Sequence, residues 1–547
     1  MDLYEEILTS ILFIAGLSLV ILLFRKLLEI GKRKAVNKFP SSGHYWSPID
    51  ASDRRYYCLG CKKRILEGYE CDYCLLKVCG LRCIRNISNK IYCKVFCEGS
   101  EYGPMKHHWI PGNIDSDQFC CVCDELCGDN DLEDFRCSWC IRVVHTKCRP
   151  SFPEECDLGE LAQSVIPPYC VLSRKPGNRN QRMAVVESIT SPEKSEHWCP
   201  LMIIVNSKSG SGAGKGLLRS FRAHPHPVQI VDVQKVNLRA CLKWIEDHPE
   251  INVRILIAGG DGTICSTLDV VDSLGHKGPV AVLPLGTGND LSRVLGWGKQ
   301  CGSDINIIQL LADIQNAQVV NVDRWRIRIE PTGGRRTLPM KTVSMTNYIS
   351  VGVDAVVTLG MQSTRDSMPK ALSSRILNKL LFVTFGTKDV FKRECKGLNE
   401  FIDLYIDGKY DFCNFSYFGS FYLKFRLVDL PAIEGLVFLN IQCWGAGVKP
   451  WEGAQKEMPQ QLDDKKFEVF AVTSSFHIAQ LQVGLSQPIH VGQASEAKVV
   501  IKNRSLPMQS DGEAWMQNPA TITVSHKCQT QMLKKNEHPF KGCLKFF

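Results

Sequence analysis

The stretch from His107 to Cys156 reads HHWIPGNIDSDQFCCVCDELCGDNDLEDFRCSWCIRVVHTKCRPSFPEEC. In it, His107, Cys120, Cys123, Cys137, Cys140, His145, Cys148 and Cys156 are separated by 12, 2, 13, 2, 4, 2 and 7 residues. Eight thiolate and imidazole groups at this spacing can close two tetrahedral zinc sites. A segment of about 50 residues has too small a core to fold unaided, and zinc binding supplies the missing free energy. A disulfide framework is the alternative, and the rest of the chain speaks against it. Sixteen of the 26 cysteines lie between Cys58 and Cys156, and the other ten are scattered singly. That distribution suits local metal sites in a reducing compartment rather than a secreted disulfide scaffold.

Over its whole length, including His107-His108-Trp109, this segment resembles the C1 domain. The resemblance implies interleaved sites: His107, Cys137, Cys140 and Cys156 in one, Cys120, Cys123, His145 and Cys148 in the other. An imperfect copy precedes it over residues 44–97. His44-Tyr45-Trp46 is followed by Cys58, Cys61, Cys71, Cys74, Cys79, Cys83 and Cys93, with Cys97 spare. Cys79 stands where the family has its second His. Three residues instead of two separate it from Cys83, and nine instead of seven separate Cys83 from Cys93. Two zinc ions are expected here as well, with the ligands after Cys74 left open. Lipid-binding C1 domains carry Pro-Thr and Gln-Gly in their insertion loops. Module two has Ser116-Asp117 and Glu133-Asp134 there, and module one has Glu67-Gly68. The modules are therefore expected to pack on the rest of the protein rather than to capture lipid themselves.

Upstream, residues 1–40 hold an apolar run, ILTSILFIAGLSLVILLF, from Ile7 to Phe24. Eighteen uncharged residues make a helix of about 27 Å, enough to span a thin bilayer. Asp2, Glu5 and Glu6 precede it, and Arg25, Lys26, Lys32, Arg33, Lys34 and Lys38 follow. The expectation is one N-terminal membrane helix, spanning or re-entrant, with the rest of the chain in the cytosol. The short span favours the endoplasmic reticulum, with the plasma membrane as a further site. A net charge of +9 over 547 residues is modest, and no basic stripe interleaved with aromatics points to nucleic acid.

Downstream, residues 157–197 read as a linker, and the pattern changes at Trp198. Leu201–Gly216, LMIIVNSKSGSGAGKG, is an apolar strand entering a Gly/Ser turn. Arg254–Ala258 is a strand ending in Gly259-Gly260-Asp261-Gly262-Thr263, with a helix over Thr263–Leu274. Pro279–Leu285 is a third, ending in Gly286-Thr287-Gly288-Asn289-Asp290, with a short helix from Leu291. Strand, glycine turn, helix is the grammar of an open parallel α/β sheet, whose ligands bind at the carboxyl ends of the strands. Glycine lets backbone amides approach an anion, so three such turns read as a phosphate site. The Walker pattern fails because Ser209 stands where its Gly should be, and the dinucleotide pattern fails because Lys215 stands at its third Gly.

From Trp198 to His526 the chain resembles the diacylglycerol kinase catalytic region. The shared residues are Asn206 with the Ser207–Gly214 turn, Gly259–Thr263, Pro284–Asp290 with Arg293, Asp323-Arg324-Trp325, Asn347-Tyr348 with Gly352–Ala355, and Met508–Trp515. The order of helix, two C1 modules and catalytic half is similar to the epsilon-type branch of that family. The resemblance implies transfer of the ATP γ-phosphoryl to diacylglycerol in the membrane, giving phosphatidate. This would attenuate diacylglycerol signalling and feed phosphatidylinositol resynthesis. It implies ATP, Mg²⁺ and Zn²⁺ as cofactors and diacylglycerol and the bilayer as partners. Gly260, Gly262, Thr263, Gly286, Thr287 and Gly288, with Asn206, would line the nucleotide site. Asp261 and Asp290 would serve the metal, and Lys208 or Lys215 the phosphate charge. Glu513 would be the base, with Asp261 second, and Asp511 would orient it or a metal water. A sphingosine- or ceramide-type lipid kinase and a C1 membrane adaptor with an inactive kinase fold are the competing readings.

The expected architecture is therefore multidomain. A membrane helix precedes two zinc-bound C1 modules of small α+β type. An α/β parallel-sheet nucleotide domain (198–335) is followed by a β-sandwich accessory domain (340–527) and a tail (528–547).

Overall fold

The computed structural model describes residues 43–51, 55–88, 90–96, 105–115, 117–128, 132–174, 185–192, 197–302, 305–332, 339–367, 395–407 and 425–536. The apolar run 7–24, Cys97, Ser116 and residues 537–547 lie outside them. Among the described residues no helix is long and apolar enough to cross a membrane.

The chain divides into two compact units. The first holds both cysteine-rich modules, up to Leu172, with Thr190–Trp198 and Arg219–Val228. Module one is a sheet of Trp46–Asp50, Glu67–Cys71 and Lys77–Val78, a hairpin of Tyr56–Tyr57 with Arg64–Ile65, and the helix Leu81–Ser88. Module two has a matching sheet of Trp109–Pro111, Phe135–Cys137 and Val143–Val144. Their cores are small, essentially Ile65, Leu76, Val78, Ile84 and Ile87 in the first and Val143 and Val144 in the second, packed around the cysteines.

The expected linker is partly ordered. Leu161, Val165 and Ile166 are buried, Trp198 donates its indole N–H to Val165 O at 2.9 Å, and Val171–Arg174 pairs with Val185–Ile189. Polar composition hid the short apolar anchors.

In the second unit, four parallel strands run Ile230–Asp232, Leu201–Val205, Arg254–Gly259, Val280–Pro284. Leu201–Val205 and Val280–Pro284 are buried throughout, the signature of a parallel sheet covered on both faces. The sheet does not stop there. Val280 pairs with Met532 in the long strand Ala520–Lys534, which pairs antiparallel with Gln318–Pro331 along its whole length. Glu496–Ile501, Ile402–Ile406 and Arg426–Val428 extend the same ten-stranded sheet. A six-stranded sheet, in the order Ile489–Ala494, Phe467–Val472, Gly435–Leu439, Tyr348–Gly352, Leu506–Ser510, Glu513–Gln517, faces its antiparallel half. Trp325, Ile327, Phe438, Phe467, Val499 and Ile522 belong to the shared core.

The β-sandwich expectation holds. Residues 318–331 pair with residues 520–534, so one strand pair links the segment before residue 335 to the segment after residue 527. Asp323-Arg324-Trp325 is the clamp that joins these layers. Buried Asp323 accepts from Lys465 N at 2.6 Å, bonds His526 Nε2 at 2.9 Å and accepts from Gln529 Nε2 at 3.0 Å. Arg324 pairs with Asp269 and Asp272 of the helix Asp261–Ser273, and Trp325 Nε1 donates to Asn440 Oδ1 at 2.7 Å.

Candidate functional site

Two glycine turns meet at the carboxyl ends of the strands Arg254–Gly259 and Val280–Pro284. A Cβ on Gly286 would stand 2.6 Å from Gly260 Cα, and one on Gly260 would stand 3.1 Å from Gly286 Cα. Only glycine at both positions lets the two backbones touch. Gly260 caps the helix Asp261–Ser273, which starts two residues before the expected Thr263 and places Asp261 in its first turn. Asn206 Nδ2 donates to Thr263 Oγ1 at 2.9 Å and its Oδ1 accepts from Lys208 N at 3.1 Å, tying the first turn to the second. Asn289, left-handed at φ 53°, accepts from Gly286 N and donates to Gly286 O, both at 2.8 Å, and to Lys299 O at 3.0 Å. Thr287 is exposed at the mouth of that turn, and Lys208 and Lys215 are exposed as well.

Asp261 and Asp290 flank Gly288, where an added Cβ would lie 3.3 Å from Asp261 Oδ2 and 3.6 Å from Asp290 Oδ2. Each has a buried Oδ1 without a hydrogen-bond partner. Burial raises the pKa of Asp261, opposed by the Asn347 carboxamide and nearby amides. Burial, then the charge of Asp261, pushes Asp290 up to about 7. Asp290 Oδ2 accepts from Ala446 N at 3.2 Å. Two enclosed carboxylates with one unpartnered oxygen each are a donor set that fits a hard divalent cation.

Glu513 lies across from them. A Cβ on Gly262 would be 3.0 Å from Glu513 Oε1, so this exposed carboxylate reaches over the Gly260–Gly262 turn. Asp511, expected to orient Glu513 or a metal water, is engaged by backbone amides. Its Oδ1 accepts from Asn347 N at 2.7 Å and Tyr348 N at 3.1 Å, and its Oδ2 from Thr346 N at 2.7 Å. Both oxygens are used by backbone, so Asp511 holds the turn rather than meeting a reactant. Sequence reasoning gave no role to Asn289, Asn347 or the segment Gly445-Ala446-Gly447. The last was detectable as another glycine turn, with φ of 57°, 73° and 109°.

The cysteine-rich modules bring all sixteen expected ligands into four tetrads: His44, Cys71, Cys74, Cys93; Cys58, Cys61, Cys79, Cys83; His107, Cys137, Cys140, Cys156; and Cys120, Cys123, His145, Cys148. Within each, the ligand atoms lie within 4.8 Å of one another. Four sulfur or imidazole donors in so compact a group fit zinc. The open part of module one resolves in favour of Cys79 and Cys83 joining Cys58 and Cys61, because the helix Leu81–Ser88 carries Cys83 in its first turn and absorbs the extra residue.

Comparisons with known proteins agree with this geometry. Residues 200–322 match the diacylglycerol kinase catalytic domain, residues 344–514 the diacylglycerol kinase accessory domain, and residues 107–159 the phorbol esters/diacylglycerol binding domain (C1 domain). Among curated proteins, the chain is 30% identical to a probable diacylglycerol kinase 3 of Caenorhabditis elegans over 87% of its own length and 62% of the relative's. It is 28% identical to an eye-specific diacylglycerol kinase of Drosophila melanogaster over 90% of its own length and 38% of the relative's. It is 27% identical to a diacylglycerol kinase 1 of Arabidopsis thaliana, with 92% and 85% covered. The chain thus spans less than two thirds of the first two relatives.

Proposed function

We infer the activity from the premise that this chain belongs to the diacylglycerol kinase family, with C1, catalytic and accessory domains. The reaction is transfer of the ATP γ-phosphoryl to the free hydroxyl of 1,2-diacylglycerol, giving phosphatidate and ADP. The observation that carries it is the opposition of Glu513 to the Gly260–Gly262 turn, with Asp261 and Asp290 beside it. Phosphoryl transfer needs positioning, charge neutralisation and an acceptor for the hydroxyl proton. The amides of Gly260, Gly262, Thr263, Gly286, Thr287 and Gly288 orient the phosphates. Asp261 and Asp290 would hold the divalent cation, Mg²⁺ in this reading, which neutralises phosphate charge when bound. Glu513 accepts the proton of the lipid hydroxyl.

Residues 7–24 anchor the chain in the membrane, in the endoplasmic reticulum and plasma membrane, with the catalytic part cytosolic. Module one is a second, divergent C1 domain, which gives the chain the epsilon-type domain order. The reaction removes diacylglycerol as a signal and returns it toward phosphatidylinositol.

The test is transfer from labelled ATP to detergent-mixed diacylglycerol, ceramide and sphingosine side by side. Label in phosphatidate alone is expected. Label in a sphingolipid would replace the substrate, and none in any lipid would remove the reading. Glu513→Gln should cut turnover by about 10²–10⁴-fold while ATP affinity holds, the usual contribution of a general base.

A further inference from the structure

Glu513 follows a turn that the protein holds from three sides. Ser510 pairs with Glu513 across a two-residue loop in which Asp511 has φ 48° and Gly512 φ 85°. Two successive left-handed residues are the signature of a tight hairpin whose twist matches its strands. Asp511 ties this loop to the amides of Thr346, Asn347 and Tyr348, and Ala514 N donates to Gln362 Oε1 at 3.1 Å. The third support is internal. Gly512 N donates to Gln509 Oε1 at 3.0 Å, and Gln509 Nε2 donates to Ser350 Oγ at 2.9 Å and Asp354 Oδ2 at 3.2 Å. Ser350 Oγ donates to the same Asp354 oxygen at 2.5 Å. Gln509, Ser350 and Asp354 are all buried.

The chemistry of this relay is directional. A carboxamide has one acceptor end and one donor end, and Asp354 and Ser350 dictate which way it lies. Flipped, Gln509 would set its oxygen against a carboxylate and its NH₂ against the Gly512 N–H. We propose that Gln509, oriented by Asp354 and Ser350, is a positioning residue for phosphoryl transfer, fixing the Asp511–Gly512 loop so that Glu513 stands over the Gly260–Gly262 turn. Gln509 touches no reactant in this role and acts through Glu513. The proposal rests on the kinase reading above and adds a residue to it.

The test is a double-mutant cycle on the full chain with Gln509→Leu, Glu513→Gln and the double variant. The readouts are kcat, KM for ATP, nucleotide affinity and thermal midpoint. Gln509→Leu is expected to lower kcat about tenfold or more, while KM for ATP and nucleotide affinity stay within about twofold. The double variant should be no slower than Glu513→Gln alone, because both changes disable one group. Additive losses, or an unchanged kcat in Gln509→Leu, would overturn the proposal. If Gln509→Leu does not fold, Asp354→Asn keeps the volume and weakens the orientation, and the same non-additivity with Glu513→Gln is required of it. Wild-type label in phosphatidate keeps the kinase reading whatever the cycle shows. Absence of that label ends both.

Discussion

At Asp290 a proton and a divalent cation compete for the same enclosed oxygens. Burial and the neighbouring Asp261 charge lift its pKa to about 7, far above the ordinary carboxylate value. A carboxylate whose folded pKa is raised favours the native state when protonated. The stability of the metal-free protein should therefore fall as pH rises from about 4 through 7. Metal binding runs the other way. The Mg²⁺ concentration giving half-maximal activity should increase as pH drops below about 7, as an activity titration at pH 6, 7 and 8 would show. A flat requirement across that range would contradict the pairing of Asp261 with Asp290. Asp290→Asn should abolish most activity and yet raise the thermal midpoint of the metal-free protein at pH 8. It removes an enclosed negative charge while keeping the side-chain shape, and strained active sites commonly exchange stability for function in this way.

Among the elements, the glycine turns carry the tightest steric requirement. Gly286→Ala would drive a methyl to 2.6 Å from Gly260 Cα, with Asn289 Oδ1 at 2.8 Å on the other side. Both turns must then separate. We expect nucleotide affinity to fall about tenfold or more, with a smaller loss of thermal stability because the strands behind the turns are untouched. A nucleotide-binding titration of the variant beside Gly212→Ala separates site geometry from general loop strain. Gly212 has a left-handed φ of 106° but nothing within 4 Å of its would-be Cβ. These turns were legible in the sequence because each follows an apolar run buried on both faces, and fully buried strands read as uninterrupted hydrophobic stretches. The strands Gln318–Pro331 and Ala520–Lys534 were not legible as partners. Their pairing joins distant parts of the chain, as the Asp323–His526 contact at a separation of 203 residues shows, and no local pattern encodes such a register. Asp511-Gly512 illustrates the division at a single hairpin. The dipeptide announces a turn, but that the carboxylate serves three amides of residues 346–348 depends on a strand from elsewhere in the sequence.

On the scale of the whole molecule, the zinc modules and the catalytic segment share a stretch of chain. Residues 219–228 lie inside the segment matching the catalytic domain, yet they pack in the first unit with the cysteine-rich modules. Arg219 pairs with Glu70 at 2.7 Å and Arg222 with Asp72 at 2.8 Å. Lys94, fully buried beside Cys93 of the first tetrad, donates to Ser138 O at 3.0 Å, Ala223 O at 2.8 Å and His224 O at 3.3 Å and lies 4.6 Å over the Trp139 ring. One ammonium thus joins module one, module two and residues 223–224. Arg219 and Arg222 end the helix Ala213–Arg222, whose other end continues the Gly210–Gly212 turn and packs Gly214 against Asn206 O. Zinc should therefore matter to catalysis and not only to attachment. Lys94→Met keeps the stem but strands two buried carbonyls, of Ser138 and Ala223, and the half-buried carbonyl of His224, at a cost of about 1–3 kcal/mol, and the midpoint of the first unit should fall by several degrees. Removing zinc with a chelator should lower kcat severalfold even on a short-chain, water-soluble diacylglycerol, and adding zinc back should restore it. Modules that served only as a membrane tether would leave that soluble reaction unchanged. The substrate that needs no membrane therefore separates the two roles: a loss there means that the fold of the first unit, which includes residues 219–228 of the matched catalytic segment, is needed for turnover.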